Sequence, residues 1–204
     1  MKMPGELTTV NNCAIVILAA GGSKRLGKPK QLLNYKNEVL LQRAINASSG
    51  SSVQSIVLVL GAAFEAIINE IDTKGLHVIK NEEWQKGIAS SISMGINALH
   101  EIKSLPDAVI LMVCDQPFIN SSILDELIAT QKSTGKPIIC STYENTIGIP
   151  ALFYKDFFQQ LLEMEGDTGA KKIMQQYPDL LAKVPFPLGN IDIDTLDDYE
   201  ALTE

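Results

Sequence analysis

Three apolar runs decide what this chain can fold into. Residues 15–20 (IVILAA), 53–60 (VQSIVLVL) and 107–114 (DAVILMVC) are dense in aliphatic and β-branched side chains. A strand with one wet face alternates apolar and polar residues. Runs this uniform need cover on both faces, as interior strands of a parallel sheet have. Between them the apolar spacing turns helical: residues 38–48 carry apolar side chains at 39, 40, 41, 44, 45 and 47, and 62–71, 88–102 and 121–131 follow suit. Residues 76–80 and 137–141 read as shorter strands. Strands alternating with helices imply right-handed crossovers and an open, mostly parallel sheet covered on both sides. The expected fold class is therefore α/β, a single Rossmann-like α/β/α sandwich.

Beyond Tyr143 the pattern loosens. Residues 148–153 (GIPALF) read as a strand and 155–164 as a helix. A further helix opens at 166–170, runs to 176 and stops at Pro178, and 182–186 reads as an edge strand. Residues 191–194 (IDID) alternate like a strand and lead into Thr195-Leu196-Asp197-Asp198, a capping-box-like helix start. No repeat, low-complexity stretch or linker divides the chain, so 1–204 is expected to form one domain, with 1–12 as a flexible arm.

The formal net charge of −7 argues against nucleic acid or an anionic membrane as the main partner, since both reward broad basic surfaces. The three cysteines, Cys13, Cys114 and Cys140, are far apart and odd in number, which suggests neither a disulfide framework nor a zinc ribbon. The first residues lack a signal-peptide pattern and no later run approaches a membrane span, so a cytoplasmic location is expected.

Against this acidic background one stretch is basic. From Leu7 to Asn37 there is no Asp or Glu, while Lys24, Arg25, Lys28 and Lys30 fall within seven residues directly after Gly21 and Gly22. Adjacent glycines let consecutive backbone N–H groups turn toward one oxyanion. Residues 22–28 satisfy GxxxxGK, but Pro29 stands where a P-loop needs a hydroxyl and the start of a helix, and Ser23 replaces the second glycine of a GxGxxG fingerprint. The stretch is thus either a solvated basic turn or an anion site of another kind.

LAAGGSKRLGKPK resembles the L-A-A-G-x-S-x-R-M-G-x-x-K signature of the nucleotidyltransferases that handle molybdenum cofactor, the cytidylyltransferase and guanylyltransferase type, which include accessory proteins of molybdenum hydroxylases such as those of purine catabolism. NEEWQKGIASSISMGI, DQP, GIPALF, GDTGAKKIM and DIDTLDDY resemble further blocks of that family in the same order. The departures are Leu26 for Met, Glu82 for Pro, Lys171 for Arg and Leu196 for Pro. Lysine at 171 lacks arginine's planar fork, so a ligand contact there would change. The resemblance implies a nucleotide-diphospho-sugar transferase type of sandwich and an Mg²⁺-dependent enzyme. Its substrates would be a nucleoside triphosphate, CTP before GTP, and molybdopterin cofactor as acceptor, and a molybdenum hydroxylase would be the recipient.

The resemblance also assigns residues. Leu18, Ala19, Ala20, Gly21, Gly22 and Ser23 would hold the nucleotide together with Lys30, Gly87, Ser90 and Ser91. Arg25, Lys30 and Asp115 would be catalytic, with Lys30 nearest the α-phosphate, while Lys24 and Lys28 act as solvated steering charges. Asp115 closes an apolar strand, and its hard oxygens suit Mg²⁺. Asp194 is the preferred second ligand and Asp192 its substitute; two apart on an extended segment, they share a face, and helix capping competes for Asp194. Gly148, Pro150, Asp167, Thr168 and Gly169 would build the acceptor side, although Asp167 could instead cap a helix, as could either serine. Trp84 is either a packing anchor or a ligand contact. The rivals to the cytidylyltransferase reading are a GTP-using enzyme, one acting on a sugar, polyol or isoprenoid phosphate, and a non-catalytic carrier that inserts finished cofactor.

Overall fold

The computed structural model describes residues 9–203 except 24, 103 and 145. Lys24, assigned a steering role, and residues 1–8 of the expected arm lie outside the described residues. Residues 9–12 belong to the body of the fold: Val10 is buried and its N–H donates to Gln131 Oε1 at 3.1 Å.

The elements in chain order are β1 (Cys13–Ala19), a small hairpin of β2 (Asn34–Tyr35) and β3 (Glu38–Val39), α1 (Leu40–Ser49), β4 (Ser55–Leu60), α2 (Phe64–Ile68), β5 (Leu76–Lys80), α3 (Ile88–His100), β6 (Ala108–Val113), α4 (Ser121–Thr134), β7 (Ile138–Tyr143), β8 (Thr146–Tyr154), α5 (Phe158–Leu162), α6 (Lys171–Gln176), β9 (Leu181–Pro185) and α7 (Leu196–Thr203). Seven strands form one sheet in the order β5-β4-β1-β6-β8-β7-β9. Its pairs are parallel except where β8 meets β6 and β7, so β8 runs against the other six.

The apolar runs became the sheet centre. Every residue of β1 is buried, and its side chains divide between two clusters, one on each face. Leu41, Ala44 and Ile45 of α1 and Leu124 and Leu127 of α4 cover one face. Ile92, Ile96 and Leu99 of α3 and Ile173 and Met174 of α6 cover the other. Each large aliphatic side chain so enclosed contributes about 1.5–3 kcal/mol, which is why uniform runs tolerate no edge position.

The structure departs from the sequence reading at several places. The helix expected over 62–71 is confined to Phe64–Ile68, because Asn69 folds its amide onto the Glu65 carbonyl at 2.8 Å and competes with the helix. The helix expected at 155–164 begins as a 3₁₀ turn over Lys155–Phe157, and the one expected from 166 starts only at Lys171. Residues 191–194, expected as a strand, form none. They cross above the sheet, where the Ile193 N–H donates to the Asp115 carbonyl at 3.1 Å. β8 is the longest strand, and nothing in its apolar pattern announced its reversed direction.

The sheet reverses its build order between β1 and β6. From β1 the chain moves out through β4 to β5, then returns to place β6 on the other side. Ligands of open α/β sheets bind beyond the strand carboxyl ends at such a switch point. The register Leu18↔Val113 sets Ala20 level with Asp115 at that edge.

Candidate active site

The glycine turn is held from behind. Gln31, almost wholly buried, donates from Nε2 to the carbonyls of Ala19 at 2.7 Å and Gly21 at 3.0 Å. The basic loop then doubles back, because the Ser23 hydroxyl accepts the Lys30 N–H at 2.9 Å. Pro29, extended, hands the chain to a 3₁₀ turn over Lys30–Leu32, which returns Lys30 to the cleft.

There the Lys30 ammonium donates to Asp115 Oδ2 and, at 2.9 Å, to Asp194 Oδ1. Arg25 donates to the other oxygen of Asp194 at 2.7 Å. Lys30 and Asp115 are largely enclosed, with side chains 17% and 13% exposed, whereas the Arg25 side chain is 67% exposed. Burial opposes the Lys30 charge, but Asp115 and Asp194 together carry its pKa above the ordinary lysine value. The Lys30 hydrogen bond, helped by Arg25, holds the Asp194 carboxyl below its usual range. Asp192 moves the opposite way: burial, then the nearby charges of Asp115 and Asp194, raise its pKa.

The two carboxylate-bearing segments are fixed to one another. Besides the Ile193–Asp115 bond, the Asp198 carboxylate accepts from the N–H groups of Asp194 at 3.1 Å and Thr195 at 2.7 Å, while the Thr195 hydroxyl accepts the Asp198 N–H at 3.2 Å. This is the reciprocal capping box the sequence suggested, and Asp198 rather than Asp194 serves it. Asp194 is left to face the cations. On the outside, α7 packs Tyr199 against the loop, with Lys28 5.4 Å from its ring centre and its hydroxyl donating to the Asn34 carbonyl at 2.8 Å.

An open cleft of about 410 Å³ lies at the switch point, lined by Leu18, Ala20, Gly21, Gly22, Lys30, Trp84, Gly87, Ser91, Asp115 and Asp167, and by Gln85, Ile88 and Val113. No role was assigned to the last three from the sequence. Trp84 is both wall and packing anchor, since a side chain at Gly22 would meet its ring at 2.9 Å. Gly87 has φ +100, and a Cβ there would stand 2.3 Å from the Gly166 carbonyl, so the segment 166–167 can close on the start of α3 only over a glycine.

Other assigned residues fall elsewhere. Ala19 is buried and offers its carbonyl to Gln31. Ser90 donates to the Gly87 carbonyl at 2.8 Å and accepts from Asn81 but caps nothing, since the cap position of α3 is Gly87 with no side-chain bond, whereas Ser91, also bound to Asn81, lines the cleft. Arg25 and Asp194 line a neighbouring groove with Asp192. Asp192 also reaches a cavity on the far side of Asp115. The five acceptor-side residues are not brought together. Asp167 lines the main cleft and does not cap α6, whose cap position is Ala170. Gly148 and Gly169 border a small apolar cavity of about 150 Å³ with Lys171. Thr168 faces a separate groove between α5 and α6, and Pro150 is buried in the sheet with its carbonyl accepting from Ser141.

Among the described residues no group of three His, Cys, Asp or Glu side chains converges as a metal cage. Asp115 and Asp194 nevertheless fit a divalent ion. They aim hard oxygens at one cation, the Lys30 ammonium, and Asp115 Oδ1 is buried without a hydrogen-bond partner. One or two carboxylates completed by substrate phosphates and water is how Mg²⁺-type ions are commonly held.

Paired cations and carboxylates at the switch point of a parallel sheet are the arrangement of a nucleotidyltransferase, and the family comparison gives that class. Residues 15–180 match the family described as MobA-like NTP transferase domain. The chain belongs to that family. It is 26% identical over 173 residues to nicotine blue oxidoreductase of Paenarthrobacter nicotinovorans, covering 80% of this chain and 81% of the relative. It is 24% identical over 170 residues to purine catabolism protein PucB of Bacillus subtilis, covering 78% and 79%. The crystal structure of Rv0371c from Mycobacterium tuberculosis in complex with manganese superposes with a TM-score of 0.78 at 26% identity, covering 94% of this chain and 98% of that one. No helix among the described residues is long and apolar enough to cross a membrane.

Proposed function

We propose that this protein is an Mg²⁺-dependent cytidylyltransferase that transfers CMP from CTP to the terminal phosphate of molybdopterin cofactor and releases pyrophosphate. The observation that carries the transfer chemistry is the meeting of Lys30 with Asp115 and Asp194 at the mouth of a glycine-lined cleft. The choice of CTP and of molybdopterin rests on the sequence blocks, and the similarity to a purine catabolism protein agrees with it. A molybdenum hydroxylase is the recipient this reading implies. The free, buried Cys13, Cys114 and Cys140 suit the cytoplasm.

In the reaction an acceptor phosphate oxygen forms a bond to the α-phosphorus of CTP, and the bond between that phosphorus and the β-phosphate bridging oxygen breaks. The attacking monoester is largely ionised at neutral pH, since its second pKa is about 6, so no general base is needed. Positioning and charge compensation remain for the protein. Backbone N–H groups of the turn at Gly21 and Gly22, which Gln31 holds through the Ala19 and Gly21 carbonyls, would take phosphate oxygens. Lys30 exchanges its carboxylate partners for the α-phosphate, whose charge grows as pyrophosphate departs. Arg25, exposed at the rim, follows the outer phosphates. Asp115 and Asp194 would hold Mg²⁺, which neutralises phosphate charge when bound.

A second reading follows the name of the first relative and makes the protein an oxidoreductase. The charge array favours phosphoryl chemistry. Pyrophosphate release with Mg²⁺, molybdopterin cofactor and each of CTP, GTP, ATP and UTP separates the possibilities. Release is expected with CTP first. Tight molybdopterin binding with no pyrophosphate from any nucleotide would make the protein a carrier, and reduction of nicotine blue without pyrophosphate would move it to the oxidoreductases.

A further inference from the structure

Asp115 stands between two cavities. On its far side from the main cleft lies a second one of about 320 Å³, which shares Val113 and Asp115 with the cleft and is walled by Gln116, Tyr143, Ile149 and Asp192. Gln116 is 5% exposed, and its Nε2 donates to two carbonyls, Gly189 at 2.7 Å and Ile149 at 3.2 Å. Flipping the amide would press its oxygen against both carbonyls, so the two bonds fix which end faces where. Oε1 is buried with no hydrogen-bond partner among the described residues. An acceptor held this rigidly, without a donor, is a recognition element awaiting one.

We propose that this cavity receives the head group of the phosphorylated acceptor, and that Gln116 Oε1 accepts a hydrogen bond from an N–H or amino group on a flat heteroaromatic ring. The proposal deepens the transferase function above and rests on it. Attack on the α-phosphorus comes from the side opposite the leaving pyrophosphate, so acceptor and leaving group need separate spaces on either side of the reacting phosphate. The cleft and this cavity, meeting at Asp115, supply them. The walls suit a ring that carries donors: Val113, Ile149 and the Tyr143 ring offer apolar faces, and Gln116 and Asp192 offer oxygens. Thr146, also on the wall, already spends its hydroxyl oxygen as acceptor for Lys171 at 2.6 Å. The residues assigned to the acceptor from sequence lie outside this cavity, and Gln116 is the middle residue of the DQP block.

The test titrates molybdopterin cofactor into wild type, Gln116→Met and Asn190→Phe, with CTP binding measured in parallel by calorimetry. Gln116→Met keeps the side-chain length and removes the acceptor. Asn190 is exposed at the edge of the same cavity, so its replacement narrows the space without disturbing the core. Both variants should bind molybdopterin about tenfold more weakly, the loss expected for one buried hydrogen bond, while CTP affinity stays within about twofold. Unchanged molybdopterin affinity in both variants overturns the subsite alone. An equal loss of CTP affinity also overturns it, because Gln116 would then be supporting Asp115 on the nucleotide side. Wild type that binds CTP but no molybdopterin overturns the named acceptor together with the subsite.

Discussion

The two ends of the sheet are built differently. From β5 to β6 the strands are parallel, β1 is wholly buried, and the segments after β1, β5 and β6 line the main cleft. From β8 to β9 one strand is reversed, the register slips between Cys140 and Ser141, and short helices replace long ones. The first region holds the residues assigned to the nucleotide together with Lys30 and Asp115, and the second surrounds the spaces left for an acceptor. A triphosphate is the same in every such reaction and calls for a fixed cradle. An acceptor differs from one reaction to the next, and irregular segments can be reshaped without unzipping the core.

The contrast can be broken most sharply at the cradle. Asp115→Ala should lower kcat by on the order of 10³-fold, with Lys30→Met close behind, because both act on the reacting phosphate inside an enclosed site. If either variant kept more than a tenth of wild-type pyrophosphate release, the charge array would have no catalytic part. Gly87→Ala comes next and reads out as stability. A left-handed backbone and a Cβ within 2.3 Å of the Gly166 carbonyl should cost about 2–3 kcal/mol, visible as a drop in Tm. A Tm unchanged within a degree would show that the segment 166–167 yields freely.

Smaller effects sharpen the comparison. Arg25→Ala should reduce kcat/KM about tenfold, less than Lys30→Met, since its side chain is mostly in water. Equal losses would put the rim cation on the reacting phosphorus. Thr168→Ala, in a groove remote from the cleft, should change turnover less than about twofold. In acid, the depressed pKa of Asp194 makes its ion pair stabilise the fold above the unfolded carboxyl's value of 3.8, and that contribution is lost as pH falls below it. Denaturant titrations should therefore show a shallower acid loss in Asp194→Asn than in wild type, and parallel curves would contradict the pairing.

Sequence legibility followed the same divide. β1, β4 and β6 were readable because strands covered on both faces leave no ambiguity of period, and the glycine turn and Asp115 followed from their ends. Asp194 could be named, but not its freedom from helix capping, which required seeing Asp198 take that task. Gln31, which holds the turn, and Gln116 stayed hidden because a glutamine's role depends on which carbonyls surround it. Pro150 and Thr168 were placed on the acceptor side by their motif blocks, yet one is buried in the sheet and the other turns to a different surface, because a motif block can serve packing as readily as binding.

The central claim is that Lys30, Asp115 and Asp194 serve one metal-bound triphosphate. Titration of Mn²⁺ by electron paramagnetic resonance, with and without CTP, tests it without depending on the acceptor. Lys30 now lies between the carboxylates, so Mn²⁺ alone should bind weakly to wild type, more tightly by about tenfold to Lys30→Met, and tightly to wild type once CTP draws the lysine away, with that CTP-dependent gain absent in Asp115→Asn. Mn²⁺ and CTP binding that ignore both substitutions would contradict it.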